Sequence, residues 1–275
     1  MKKTVFIIIL IAIFILMSLV GIYISDNNNR YVFKIHFFDA GKADAIFINY
    51  NDINIIIDTG EEKLADDIIE YLKKRNVIKI DYLIITHFDK DHVGSASRII
   101  DEFDIDNVLQ SNYPKESSYY SNYLNSLSKK SVTPETIIND KNITIDNLKI
   151  KIYGPKKIYE NNESNNSSLI TSMFYIDNSF LFMGDSQNAR IKDFILENNQ
   201  NYDFLKVPYH GRYLKRFDDL LLNRNIKYAV ITSSLDEKED DRTIDVLKNN
   251  NINYYLTRNG EIDVLSNGKN IKVKQ

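Results

Sequence analysis

At 275 residues, 43% of them hydrophobic and 27% charged, the chain has the size and composition of one large globular domain or two small ones. Lys and Arg number 35 against 38 Asp and Glu, a formal charge of −3, so no global basic field marks a nucleic-acid binder. Cysteine is absent, which excludes disulfides, thiolate metal sites, a thiol nucleophile and a lipidated cysteine anchor; any metal must be held by histidine and carboxylate.

Lys2 and Lys3 precede an uncharged run over residues 5–25 that Asp26 ends. About 20 apolar residues span a bilayer as a helix, and the stretch around Val20-Gly21-Ile22-Tyr23 is a poor cleavage site. The expectation is an uncleaved signal anchor over 1–25, a polar linker over 26–30 and a globular domain over 31–275. The two lysines stay in the cytoplasm by the positive-inside rule, so a single-pass membrane protein carries its domain outside. Secretion after cleavage of a long signal peptide is the other reading.

The domain opens with a strand over 31–38, a turn over 39–44 and strands over 45–50 and 53–58. A helix follows over 63–75, with Leu64, Ile68, Ile69 and Leu72 at helical spacing. A buried strand over 81–86 runs into a loop over 87–95 and a short helix over 96–103. Residues 111–147 give little pattern beyond a helix over 117–130, and 160–168 reads as a polar loop. Strands over 169–176 and 179–182 form a hairpin around Asp177-Asn178. Then come a helix over 186–198, a strand over 203–207, a strand over 228–232, a helix over 242–249, a strand over 254–257 and a hairpin at Asn267-Gly268. Hairpins early and strand–helix alternation late suit two sheets face to face with helices outside.

The chain has four histidines, and two stand in Thr86-His87-Phe88-Asp89-Lys90-Asp91-His92, directly after a buried strand. Imidazole and carboxylate together suit zinc, manganese or iron; calcium is a weaker reading, because imidazole is a poor calcium ligand. Asp185, in Met183-Gly184-Asp185, and His210, in Pro208-Tyr209-His210-Gly211, also follow strands and stand beside glycine. Asp58 is placed to hold the 87–92 loop by hydrogen bonds. Asp44 reads as a turn residue and His36 as structural. Lys206 and Arg212 flank His210 and are candidates to meet substrate phosphate.

These residues resemble the metallo-β-lactamase superfamily, and more closely the branch similar to the hydrolase domain of ComEC-type competence proteins. The loop 86–92 matches that branch's His-x-Asp-x-Asp-His. Phe38-Asp39-Ala40-Gly41-Lys42-Ala43-Asp44-Ala45, Asn166-Ser167-Ser168-Leu169-Ile170, Phe182-Met183-Gly184-Asp185 and Leu205-Lys206-Val207-Pro208-Tyr209-His210-Gly211 match its further motifs in order, over roughly residues 33–265. Tyr209 and Arg212 depart from its His-His-Gly-Ser, Lys42 and Ala43 from its opening motif, and no histidine lies between 92 and 210. Asn166 occupies the region where the wider superfamily has its third histidine.

The resemblance implies an α/β fold, a four-layer αββα sandwich; the apolar run over 5–25 adds one N-terminal transmembrane helix before it. It implies two divalent ions, Zn2+ or Mn2+, with single occupancy as the lesser form: one on His87, Asp89 and a shared Asp185, the other on Asp91, His92, His210 and Asp185. Asp91 and Asp185 would carry the catalysis, a metal-activated water the attack, and Asp58 and Asn166 the support. A phosphodiester, DNA among the candidates, is the substrate expected. A non-catalytic metal-binding or sensing module, or an esterase or lactamase acting on a non-phosphate substrate, are the alternatives.

Overall fold

The computed structural model describes residues 30–275 apart from 161, 162 and 223, together with the isolated positions 13, 15 and 17. No helix among them is long and apolar enough to cross a membrane; but for those three positions, the span expected over 5–25 lies outside the described residues. The linker expected over 26–30 lies outside them too, save Arg30.

Two sheets carry the fold. The eight-stranded sheet runs β15 (Ile271–Lys274), β14 (Ile262–Ser266), β1 (Phe33–Phe37), β2 (Ala45–Tyr50), β3 (Ile53–Thr59), β4 (Lys79–Ile85), β5 (Asp104–Gln110), β6 (Glu135–Thr136). The seven-stranded sheet runs β13 (Asn253–Leu256), β12 (Tyr228–Ile231), β11 (Phe204–Lys206), β10 (Asn178–Phe182), β9 (Ile170–Tyr175), β8 (Leu148–Tyr153), β7 (Lys141–Ile145). Side chains alternate across each strand, and that period divides the apolar residues between cores. In β3, Ile55 and Ile57 enter the core between the sheets while Ile56 faces outward into a second core under helices. A strand covered on both faces needs no polar positions, which explains the unbroken isoleucines. Phe33 meets Phe180 at 4.9 Å between ring centres, and Phe37 meets Phe204 at 5.8 Å, joining the two sheets.

Helices α1 (Ala65–Lys74), α2 (Lys90–Val93), α3 (Ala96–Glu102) and α4 (Ser118–Lys129) cover the first sheet. Ile68 and Leu72 lie on the buried face of α1, each stabilising the fold by about 2 kcal/mol through burial. Beyond α5 (Glu163–Asn166), helices α6 (Asn188–Glu197), α7 (Phe217–Leu221) and α8 (Asp241–Asn249) cover the second sheet.

The structure adds elements the sequence reading lacked. Strand β5 has apolar residues at 105, 108 and 109 and therefore no clean alternation; parallel pairing along β4 makes it a strand. The hairpin of β7 and β8 was passed over, although Ile143, Ile145, Leu148, Ile150 and Ile152 alternate around Asp146-Asn147, with Asp146 at φ 49°. The loop expected over 160–168 contains the helical turn α5, held from outside by Tyr113, whose hydroxyl donates to Glu163 at 2.6 Å.

The pairs β3–β4, β4–β5, β10–β11 and β11–β12 are parallel. The carboxyl ends of such strands open a crevice where ligands are bound in α/β folds.

Candidate metal centre

The first sheet delivers the 86–92 segment from the end of β4. Asp58, in β3, holds it: its Oδ1 accepts the Thr86 N–H at 2.8 Å, and its Oδ2 accepts the Thr86 hydroxyl at 2.6 Å and His92 Nδ1–H at 2.8 Å. Asp58 itself takes a left-handed backbone, φ 55°. The loop then packs so closely that a Cβ on Gly94 would stand 2.4 Å from the Lys90 carbonyl oxygen and 2.7 Å from that of Gly60. Only glycine passes there without moving backbone.

The second sheet delivers Asp185 after β10 and His210 after β11. Tyr209, His210 and Gly211 have φ of 52°, 51° and 75°, three left-handed residues in a row that turn the imidazole back toward Asp185. Asn166 ties down the chain beyond Asp185, its Oδ1 accepting the N–H groups of Gln187 and Arg190 at 3.2 Å each.

Hydrogen bonding fixes which nitrogen each imidazole presents. His92 Nδ1–H donates to Asp58. The Thr86 hydroxyl gives its proton to Asp58, so toward His87 Nδ1, 3.1 Å away, it accepts. Likewise the Thr232 hydroxyl donates to Asp44 at 2.6 Å and accepts from His210 Nδ1 at 3.0 Å. Two buried carboxylates, one directly and both through threonines, thus turn three Nε2 atoms inward.

There they meet carboxylates. His210 Nε2 lies 3.2 Å from Asp185 Oδ1 and 3.5 Å from Asp91 Oδ2; His92 Nε2 lies 3.4 Å from Asp185 Oδ1 and 4.0 Å from Asp91 Oδ2. Close as these atoms are, Nε2 of His92 and His210 and Oδ1 of Asp185 are buried without a hydrogen-bond partner, as expected of acceptors facing one another when Nδ1 carries the proton. Buried polar atoms left so are rare unless something else satisfies them. A tetrahedral ion with ligands at 2.0–2.1 Å spaces them about 3.4 Å apart. The four side chains therefore fit a transition-metal ion, and they form one of the groups of titratable side chains able to share a cation.

Charge reinforces the arrangement. Burial pushes the Asp185 carboxyl up, but His210 and His92 outweigh it and hold it well below the usual carboxylate range. Burial likewise raises and His210 and His92 lower Asp91. Burial pulls His210 down, yet Asp185, with help from Asp91, drives it up to about 9; His92 is raised by Asp185 and Asp58 against the same burial.

The other expected residues fall differently. His87 Nε2 is buried and unpartnered, its ring 4.1 Å from that of His92, but Asp89, 3.9 Å from it, is engaged by Lys115 and Ser164. Arg212 is exposed beside His210. Lys206 is corrected: it is wholly buried, bonds the Gly184 carbonyl at 3.3 Å and pairs with Asp44, so no substrate at the surface reaches it. Its neighbours in sequence suggested a basic patch, but alternation in β11 turns it inward. Asp44, read as a turn residue, is buried between Lys206, Thr232 and the His92–His210 pair. His36 is buried away from these groups, on Asp263 and stacked on Tyr71. Sequence reasoning missed Thr86, Thr232 and Lys115; none stands in a motif that signals its partner.

Comparison with known proteins agrees with this architecture. A family model described as the metallo-beta-lactamase superfamily matches residues 39–233. ComE operon protein 3 of Bacillus subtilis is 23% identical over 223 residues; the match covers 73% of this chain but 28% of that longer protein. Among solved structures, the metallo-beta-lactamase fold protein YhfI from Bacillus subtilis superposes with a TM-score of 0.55 at 9% identity, covering 82% of this chain and 96% of that one. CmlA, a diiron beta-hydroxylase from Streptomyces venezuelae, gives 0.51 at 14%, covering 82% and 53%. At such identities the superpositions speak for the fold alone. The family match spans most of the domain, from Asp44 and Asp58 through the 86–92 segment to Asp185, His210 and Thr232, and by it the chain belongs to the metallo-beta-lactamase superfamily.

Proposed function

We propose that the chain is a metal-dependent hydrolase of phosphoryl esters, phosphodiesters in particular, working on one divalent ion held by Asp91, His92, Asp185 and His210. The observation that carries this is the set of inward Nε2 and Oδ1 atoms, 3.2–3.4 Å apart and buried without partners. Two imidazoles and two carboxylates suit Zn2+ or Mn2+. Such an ion supplies positive charge that polarises a phosphoryl oxygen and eases the loss of a proton from water.

The chain's own residues do the rest. Asp185 is fixed by a backbone N–H bond to Ser168 Oγ at 3.2 Å and presents Oδ1 to both histidines. Asp91 is about one-fifth exposed and faces solvent, so it can accept a hydrogen bond from an incoming water and orient it. Asp58 and Asp44, with their threonines, keep the imidazoles from turning. The motifs that resemble the hydrolase domain of ComEC-type competence proteins keep DNA among the phosphodiesters worth testing. The run over 5–25 is proposed as a membrane anchor that carries the domain on the outer side of the cytoplasmic membrane.

The test is hydrolysis of bis(p-nitrophenyl) phosphate, p-nitrophenyl phosphate, single-stranded DNA and a panel of carboxylic esters and lactams by the full-length chain loaded with Zn2+ or Mn2+. Diester turnover that His92→Ala and Asp185→Asn abolish is the expected result. Equal background rates in all three proteins would favour a binding module, and ester or lactam turnover alone a different substrate class. Protease protection in intact cells checks the anchor: cleavage of the domain from outside is expected.

A further inference from the structure

The half of the centre around His87 and Asp89 does not provide for a second ion. Among the described residues, neither His87 nor Asp89 belongs to a group of three or more side chains able to share a cation. They offer two donor atoms 3.9 Å apart, whereas catalytic zinc takes at least three protein ligands. The oxygen of Asp89 that faces His87 is also spoken for: Oδ1 accepts from Lys115 Nζ at 2.6 Å and from the Ser164 hydroxyl.

Lys115 stands on the segment between β5 and α4, directly after Pro114. Its side chain is about two-fifths exposed, and it lines a cleft of about 650 Å³ together with Asp89, Tyr113, Glu163 and Ser164. An ordinary surface ion pair would leave the carboxylate solvated. Here Asp89 is three-quarters buried, a hydroxyl on a second segment bonds the same oxygen, and the pair borders the imidazole of His87. An ammonium is a compact charge with three donors, and Asp89 takes one of them.

We propose that the Lys115 ammonium serves as the second cation of this centre, so that the chain binds one metal ion and uses lysine to meet the anionic oxygens of a phosphoryl substrate in the cleft. This rests on the four-residue cluster being an ion site. In two-ion hydrolases the paired charges clamp the oxygens of the phosphoryl group; here Asp89 and Ser164 position an ammonium to share that task, and His87 Nε2 lies 3.9 Å from the Asp89 oxygen that holds it.

The full-length chain in detergent is dialysed against buffered Zn2+ or Mn2+, and bound metal is counted by mass spectrometry. Binding of inorganic phosphate to the loaded protein is then measured by calorimetry for the wild type, Lys115→Met and Lys115→Arg. One ion per chain is expected, lost in His92→Ala and retained in Lys115→Met. Phosphate should bind about tenfold more weakly to Lys115→Met, as loss of a charged hydrogen bond implies, and recover in Lys115→Arg. Two ions in the wild type, or phosphate affinity unmoved by Lys115→Met, would overturn the proposal. Absence of any bound ion would instead defeat the reading of the cluster itself. Lys115 lies on an exposed segment, and an unchanged melting temperature of Lys115→Met confirms that folding is not what was altered.

Discussion

One carboxylate, Asp58, accepts three hydrogen bonds at 2.6–2.8 Å and thereby fixes both Thr86, through its backbone and hydroxyl, and the His92 ring. Asn tolerates the left-handed backbone of that position but brings an amide where an acceptor is needed. Asp58→Asn should weaken metal binding 10–100-fold, the usual consequence of losing such a support, read by competition with a chromogenic chelator. Protons compete for the same atoms. Without an ion His210 titrates at about 9, above its ordinary 6.5, so its contribution to stability is complete below about 6.5 and fades as pH rises through 9. Asp185, held low, contributes above its ordinary value and loses that contribution as pH falls through its depressed one. An ion must displace the His210 proton. Added Zn2+ should therefore raise the melting temperature more at pH 9 than at pH 6, with proton release visible in calorimetry across buffers. An equal shift at both values would contradict the protonation described for His210.

Among the elements, the turn from β4 into α2 and α3 has least room. Gly94→Ala would press a methyl on the backbone of Lys90, Glu62 and Gly60, and backbone yields poorly. A loss of about 1–3 kcal/mol in urea unfolding is expected, with weaker metal uptake because His92 lies two residues away. In β11, removing the Lys206 ammonium strands the buried carboxylate of Asp44; Lys206→Met should cost about 3–5 kcal/mol, measured in the same way. These two positions also mark what was legible. Residues 86–92, Asp185 and His210 stood out because imidazole, carboxylate and glycine clustered at strand ends within a few residues. Strands with strong alternation or unbroken apolar runs were readable for the same local reason. Asp44 and Lys206 were misread because their meaning is each other, 162 positions apart by their numbering. The partnership of Lys115 with Asp89 crosses 26 residues, and β5 is a strand on the strength of its neighbour.

At the scale of the molecule, the candidate ligands come from both sheets: Asp91 and His92 after β4, Asp185 after β10, His210 after β11. An ion there would tie the two halves of the sandwich across their common core. Binding only the folded form stabilises it by about 4 kcal/mol when free metal is a thousandfold above Kd. Chelation should lower the melting temperature by several degrees and speed amide exchange at 86–94, 183–187 and 207–211 together. Exchange rising in one segment alone would mean that the halves are not coupled through the centre.

The run of left-handed residues at 209–211 bears on timing. Each such non-glycine residue is disfavoured by about 1–2 kcal/mol, and Tyr209 and His210 are adjacent. A nascent or denatured chain therefore seldom aims His210 as the native molecule does, and a stray cation meeting that chain finds the fourth donor out of reach. An ion at this centre would therefore gain its fourth donor only once the second sheet has assembled, and the handedness of two peptide units would work against earlier capture.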